Sequence, residues 1–259
     1  MVASSDARTA LLVAFLCPAL LGATVVQVQS DQGALARHLL SDDADAQRRA
    51  FAAAAAIPAQ ELTPEIRSAL ITLLEQKNAI VARALERSIP LSTVEDPEFV
   101  SAVSRKVAEL KDRRAIPALA RSIYGGDTAA KALAAFGDAS VAPVVAVVTA
   151  PTSHYDFVAF GLTALRHLVE QSRQRPMSPE AREQIRGAAL ERLTGPEHFV
   201  ALWRAIDLAT ALEDPELAGI VSSLAYDSQA LATRGLTDPE VVEQTHARAR
   251  DRLAGVRAR

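Results

Sequence analysis

The histidines offer the widest range of chemistry in this chain, because imidazole binds metals and transfers protons near neutral pH. There are five of them: His38, His154, His167, His198 and His246. No two lie four residues apart, so the paired histidines that bind zinc from one helix face are absent. The single cysteine, Cys17, excludes an internal disulfide and a site with several cysteine ligands. We therefore expect no metal and no cofactor.

Enzyme motifs with a local signature are also absent. The chain has no Gly-x-Ser-x-Gly nucleophile elbow. It has no glycine-rich phosphate loop either, and Gly125-Gly126 reads as a turn between helices. An active site built from distant residues would leave no such motif. The sequence thus predicts a protein that is not an enzyme, with no catalytic, cofactor-binding or metal-binding residues.

Charge gives little reason to expect a nucleic-acid partner. The 259 residues carry a formal net charge of -3. The C-terminal segment, from His246 to Arg259, is rich in arginine, which would suit nucleic acid or anionic lipid. Cations in a last helical turn also complement the helix dipole. We favour that second interpretation and expect no nucleic-acid binding.

Large amphipathic side chains are scarce, and such side chains often anchor protein partners. Tyr124 and Tyr155 lie near predicted turns and are the candidate partner-binding residues. Trp203 lies in an apolar stripe, which favours core packing for it. The expected partner is an unidentified protein or peptide.

Six copies of one short motif indicate the elements that must carry these residues. In each, a small or capping residue precedes Pro-Glu, and the first residues are Thr63, Asp96, Ser178, Gly195, Asp214 and Asp238. Such a residue can cap a free backbone N–H, proline suits the first helical position, and glutamate faces the positive end of the helix dipole. Each triplet therefore predicts a helix start, which makes the protein all-α.

Apolar spacing supports the same fold class. Helical stripes recur along the chain, for example Phe99, Val103, Val107 and Leu110. The valine-rich run from Val141 to Val148 has the composition of a buried strand. We predict a helix there, because the run aligns with the helical segment 117–123.

Internal repeats are visible between residues 112 and 148. The pattern from Asp112 through Pro117 to Leu119 returns 26 residues later, from Asp138 through Pro143 to Val145. Repeats of about 20–50 residues are typical of solenoids, in which stacked helix pairs share a continuous core.

This stretch resembles tandem HEAT repeats of the short bacterial type related to phycobilisome lyase repeats. The matching residues are Ile116-Pro117-Ala118-Leu119, the turn at Gly125-Gly126-Asp127, the alanine-rich run 129–136, and Gly137-Asp138. Lys131 stands where the family usually has arginine, and the outer repeats lack the Ile-Pro signal. The resemblance implies a right-handed α-solenoid of stacked antiparallel helix pairs, a HEAT-like superhelix.

The N-terminal segment predicts export. Thr9 to Ala23 is an unbroken apolar stretch of the length of a secretory signal. Cleavage after Ala23 or Ser30 is expected. Two alternatives stay open: an uncleaved anchor that extends through Val28, and a lipid anchor on Cys17.

Together these features predict residues 1–30 as a signal peptide or membrane anchor and residues 31–259 as a HEAT-like repeat domain. The expected function is a non-catalytic scaffold that binds a protein or peptide in the bacterial envelope, periplasmic or extracellular. A membrane-anchored form of the scaffold is one alternative, in which the membrane is met through the N-terminal segment. A lyase-type protein that attaches a chromophore to a client is the other, and it is implied by the family resemblance.

Overall fold

A computed structural model describes residues 32–87, 89, 96–151 and 154–257 of the chain. Within these residues the secondary structure is helical, with no strand. The prediction of an all-α protein is therefore confirmed. Val141–Thr149 is a helix, as its alignment with the preceding repeat predicts.

The helices are numbered here in chain order. The described part of α1 covers residues 32–39. The others are α2 Ala44–Ala56, α3 Pro64–Glu86, α4 Pro97–Glu109, α5 Ile116–Arg121, α6 Asp127–Ala135, α7 Val141–Thr149, α8 Tyr155–Gln171, α9 Pro179–Thr194, α10 Phe199–Leu212, α11 Pro215–Tyr226, α12 Ser228–Ala232 and α13 Pro239–Arg257.

Five of the six Pro-Glu triplets begin helices where predicted, at α3, α4, α9, α11 and α13. The Asp214 carboxylate, for example, accepts hydrogen bonds from the N–H groups of Glu216 and Leu217, at 3.0 and 3.1 Å. The prediction at Gly195 is wrong. Gly195 ends α9, and α10 begins three residues after Pro196 with His198 as its cap. The Gly195 N–H donates to the Glu191 carbonyl oxygen at 3.0 Å, so this residue completes the end of α9 and does not cap a new helix.

The connection from residue 227 to 239 links α11 to α13. It contains the short helix α12, which is capped by Asp227. The α12 segment is tied to α13 by His246, whose buried ring lies 2.7 Å from the Leu224 carbonyl oxygen and 3.1 Å from Ser228 Oγ.

Contacts divide the chain into two compact units, one up to Leu70 and one from Ile71. In the first unit, the side chain of Gln47 donates to the carbonyl oxygens of Leu39 and Ser41, both at 3.2 Å. These bonds hold α2 against the end of α1. Leu39 and Ile66 are fully buried.

The second unit is organised by contacts between alternate helices. One series of contacts runs α4, α6, α8, α10, α13, and a second runs α5, α7, α9, α11. The two series also meet, where α5 packs on α6, α7 on α8, α9 on α10 and α11 on α13. The core of this unit is thin and aliphatic, with fully buried residues such as Leu119, Leu133, Leu165, Ile185 and Leu193.

Arginines close several helix ends in this unit. Arg192 of α9 donates from Nε to the Val148 carbonyl oxygen at the end of α7, at 3.0 Å. Arg182 reaches the Leu212 carbonyl oxygen at the end of α10, and Arg234 reaches that of Leu193 at the end of α9. The last carbonyl groups of a helix lack partners inside it, and cations suit that end of the dipole. Burial lowers the pKa of Arg234, whose guanidinium sits among these carbonyl groups.

Candidate functional site

The second unit contains an apolar groove of about 830 Å³. It lies across α3, α5, α7 and the first turn of α8. Its lining residues are Ala82, Leu85, Pro117, Ala120, Arg121, Pro143, Ala146, Val147, Ala150, His154 and Phe157. This volume is within the range of ligand pockets, which are mostly apolar with a few polar groups.

The sequence repeat builds the groove. In α5 the lining residues are Pro117, Ala120 and Arg121, and in α7 they are Pro143, Ala146 and Val147. Both sets have the spacing i, i+3, i+4, so each occupies one helix face. They lie 26 residues apart, which is the repeat seen in the sequence. Equivalent faces of two successive repeats therefore line one surface.

Both faces carry a proline and an alanine. Pro117 and Pro143 stand in the first turn of α5 and α7, where proline tolerates a helix. The neighbouring alanines project no more than a methyl group into the groove. A partner backbone can thus approach the helices closely.

Polar groups lie at the margins of the groove. Arg121 is exposed; its Nε lies 3.3 Å from the Pro117 carbonyl oxygen and its Nη2 lies 3.5 Å from Glu75 Oε1. An exposed pair of this length contributes little to stability, so the guanidinium can exchange Glu75 for another carboxylate at small cost. His154 lies at the other margin and caps α8, with Nδ1 accepting from the Asp156 N–H at 3.4 Å.

From His154 a row of rings continues along the unit, which we name the aromatic row: His154, Tyr155, His198, Phe199 and Trp203. Successive ring centroids lie 4.0–5.1 Å apart, and Tyr155 stacks on His198. His154 and His198 cap α8 and α10 in the same way, each through Nδ1. The row arises because equivalent starts of neighbouring helices are adjacent.

The two tyrosines predicted to bind a partner occupy different places. Tyr155 lies in the aromatic row with 37% of its surface exposed. Tyr124 lies in the turn before α6, with its ring 5.2 Å from Phe157, a lining residue of the groove. Its hydroxyl is buried. Partner binding by either tyrosine stays a prediction.

The histidines form no metal centre among the described residues, where no group of three or more potential ligands converges. His167 pairs with Asp127, at 3.1 Å between Nε2 and Oδ1. Hydrogen bonds from Lys131 and His167 lower the pKa of Asp127. This contact ties α8 to α6.

His246 and Ser228 have the geometry of a base and a nucleophile. The Leu224 carbonyl can only accept, so Nδ1 carries the proton and Nε2 accepts from the Ser228 hydroxyl. Acyl transfer also needs donors for the developing oxyanion. The two N–H groups that follow Ser228, those of Gln229 and Ala230, already bond to Asp227. The hydrogen bond between Ser228 and His246 links α12 to α13.

No protein-family model matches the chain, and no curated protein matches it. Among solved structures, it is similar to an engineered protein determined by the Northeast Structural Genomics Consortium. That match has 17% identity, covers 87% of this chain and 97% of the other, and has a TM-score of 0.37. A likeness at this level carries no argument about fold or function.

The N-terminal prediction concerns residues outside the described part of the chain. Thr9 to Ala23 and Cys17 all lie there. In the part that is described, no helix combines the length and apolarity needed to cross a bilayer.

Sequence reasoning missed the lining of the groove. The signal was present, because Pro117 and Pro143 are equivalent positions of the repeat. Residues three and four positions after each proline share its helix face. Applying that spacing to both repeats would have selected the lining of α5 and α7. The predicted partner-binding residues, Tyr124 and Tyr155, are not among the lining residues.

Proposed function

We propose that this protein is a non-catalytic, exported scaffold whose apolar groove binds an apolar segment of a protein partner in the bacterial envelope. The observation that carries the proposal is the lining of the groove by equivalent faces of α5 and α7. A surface that a repeat builds twice can hold an extended partner segment across both repeats.

The same proposal assigns the second unit to a right-handed α-solenoid with HEAT-like repeats. The two series of alternate helices would be its two layers. Several hydrogen bonds join residues about 40 positions apart: Asn78 with Ala118 and His167 with Asp127 are both 40 residues apart, and Trp203 with Thr245 are 42 apart. Contacts at a similar separation along the chain are expected when successive helices stack on their neighbours. The handedness follows from the resemblance to HEAT repeats.

The chemistry of the groove defines the kind of partner segment. Alanine, proline and valine walls favour apolar side chains, since burying them releases roughly 25 cal/mol per Å². Arg121 at the margin favours a carboxylate on the partner, because a guanidinium binds it with two parallel hydrogen bonds. We therefore propose a mainly apolar segment that carries one acidic group.

Site-specific cross-linking tests the groove. A photoreactive residue at Ala146 lines the groove, whereas the same residue at Ala232 is exposed on α12, which contributes no residue to the lining. After incubation with envelope proteins, the partner should be captured from position 146 and not from 232. A peptide from the captured segment should then bind the wild type and lose affinity in Ala146→Glu, with Ala232→Glu as the matched control.

Two results count against the groove. One is equal capture from both positions. The other is a captured peptide that binds Ala146→Glu as tightly as it binds Ala232→Glu. Circular dichroism of both variants establishes that each is folded.

Export is tested separately. The apolar stretch from Thr9 to Ala23 supports it. Intact mass of the protein from the periplasmic fraction should show loss of the first 23 or 30 residues. A full-length mass in the membrane fraction would instead support the anchored form, and a full-length cytoplasmic protein would contradict export.

A further inference from the structure

Four arginines from three helices converge on one carboxylate, and we name them the arginine cluster: Arg166, Arg204, Arg248 and Arg252. The carboxylate is Asp207 of α10. Arg248 donates from Nε to Oδ1 at 3.1 Å and from Nη2 to Oδ2, and Arg252 donates from Nε to Oδ1 at 2.7 Å. Arg204 and Arg166 lie at 3.5 and 3.7 Å from Oδ2.

The Asp207 carboxylate and the four guanidinium groups differ in their burial. The Asp207 side chain is 2% exposed, whereas those of the four arginines are 23–44% exposed. The carboxylate is thus the fixed centre, and the guanidinium groups reach solvent around it. Trp203 fixes one of them further, with Arg248 5.7 Å from its ring centroid. The indole is itself held by a 2.8 Å hydrogen bond to Thr245.

The cluster holds more positive charge than its carboxylates neutralise. Within the described residues, four guanidinium groups pair with Asp207 and Glu170. Glu170 lies 3.5 Å from Arg166 and is shared with His167. Two positive charges therefore remain in excess.

Hydrogen-bond donors are in excess as well. A guanidinium has five N–H donors, so the cluster has twenty. Asp207 accepts hydrogen bonds from Arg248 and Arg252. Arg166 and Arg204 make no side-chain hydrogen bond to any residue in the described part of the chain. Partly exposed donors of one charge, held in place by a buried acid, form a site prepared for an anion.

We propose that the arginine cluster binds a phosphate group that carries two negative charges, as a site separate from the groove. The excess of two charges matches a phosphate monoester or inorganic phosphate, which carries about −1.5 to −2 at neutral pH. A single carboxylate would neutralise half of it. The planar donor fork of arginine fits phosphate oxygens in pairs.

Calorimetric titration with inorganic phosphate tests the site. Wild type should bind phosphate in a buffer free of other multivalent anions. Arg204→Ala should weaken binding about tenfold or more, because a charge-assisted hydrogen bond is lost. Arg204 is 40% exposed, so this substitution should leave the fold intact, which circular dichroism checks. Arg204→Lys, which keeps the charge and loses the fork, should bind with intermediate affinity.

Arg250→Ala is the matched control. Arg250 lies on α13 between two members of the cluster but pairs with Glu243, at 3.0 Å. Its removal should leave phosphate binding unchanged. Absence of phosphate binding by the wild type, or equal losses in Arg204→Ala and Arg250→Ala, would overturn the proposal.

A second experiment, with lipid vesicles, distinguishes a lipid headgroup from a free phosphate as the ligand. Phosphatidylcholine vesicles with and without phosphatidic acid are sedimented with the protein. Binding that requires phosphatidic acid, is lost in Arg204→Ala and is displaced by inorganic phosphate assigns a headgroup to the site. Phosphate binding without vesicle binding assigns a free phosphate. Vesicle binding that persists in Arg204→Ala excludes the cluster as its cause. Ala146→Glu should leave phosphate binding unchanged, so failure at the groove and failure here are distinguishable.

Discussion

At the scale of single residues, two sets of arginines connect the helices of the second unit. Arg182, Arg192 and Arg234 donate to carbonyl groups at helix ends. Those of the arginine cluster surround Asp207. Both use the charge of the guanidinium and its planar fork of donors, and lysine has no such fork.

Removing the central carboxylate should be costly. Asp207→Ala leaves four adjacent guanidinium groups without their buried partner. We expect the free energy of unfolding to fall by about 3 kcal/mol, the lower end of the range for a broken buried pair, because the arginines are partly exposed. Urea denaturation measures it. High salt should recover part of the loss by screening the repulsion among the arginines.

Glu243→Ala provides the comparison for that prediction. Glu243 is 72% exposed and pairs with Arg250 on the same helix. Its loss should change the free energy of unfolding by no more than about 0.5 kcal/mol. Equal effects of Asp207→Ala and Glu243→Ala would show that burial of Asp207 contributes nothing.

At the scale of helices, close approach and capping position the groove. Gly161 in α8 lies against Val148 of α7, and a Cβ atom at Gly161 would overlap the Val148 Cγ2 methyl group. The missing side chain lets the two helices pack closely. Because α7 forms one wall of the groove and α8 begins at its margin, this contact sets their separation.

Gly161→Ala should therefore destabilise the protein although alanine favours helices. Overpacking costs about 1–3 kcal/mol and the gain in helix propensity is roughly 1 kcal/mol, so the net loss is up to about 2 kcal/mol. Adding Val148→Ala should relieve the overlap in the double variant. Thermal and urea unfolding of the single and double variants measure the coupling.

Gly187→Ala is the control, since nothing lies within 4 Å of a Cβ atom at that exposed position in α9. It should raise the free energy of unfolding by about 0.5–1 kcal/mol. If Gly161→Ala also stabilises the protein, the close contact between α7 and α8 is absent in solution.

The cap of α11 predicts a pH dependence. Hydrogen bonds from the backbone N–H of Leu217, followed by Arg186, hold the pKa of Asp214 below its ordinary value of 3.8. A group whose pKa is lowered by folding stabilises the protein above its unfolded pKa, and this stabilisation is lost as pH falls through the folded pKa. Asp214→Asn keeps the capping acceptor and removes the charge.

We expect this variant to lose at most about 1 kcal/mol at neutral pH, since the pair with Arg186 lies near the surface. The difference between wild type and variant should disappear as pH falls below 3.8. Chemical denaturation across this pH range measures it. A difference that stays constant with pH would mean that the charge of Asp214 makes no contribution.

At the scale of the whole molecule, stability should be local if the second unit is a stack of repeats. Leu165 of α8 is fully buried, and its helix contacts α6, α7 and α10. Leu165→Ala should cost about 2–5 kcal/mol. Hydrogen exchange should then accelerate most in α6, α7, α8 and α10, and less in α11 and α13. Uniform acceleration across all of these helices would indicate one cooperative globule and contradict the stack.

The sequence predicted what adjacent residues determine. A cap such as Asp214 and its proline act within one helical turn, so five helix starts were predicted from triplets. The helix start predicted at Gly195 was wrong, because Gly195 is the C-cap of α9 and α10 begins only at Phe199. The arginine cluster was not predictable from one sequence, since Arg248 and Asp207 meet only after folding brings residues 41 apart together. The groove was predictable only in part. Its two prolines mark equivalent positions of the repeat in the sequence, whereas its depth depends on how the helices pack.

Hydrogen–deuterium exchange with the partner peptide bound tests the central claim most directly. If the groove is the binding surface, added protection should be confined to its walls: residues 80–86 of α3, α5, α7 and the first turn of α8. Protection in α11 and α13 should stay unchanged. Tight binding without added protection in α5 and α7, or with protection concentrated in α11 and α13, would contradict the assignment of the groove.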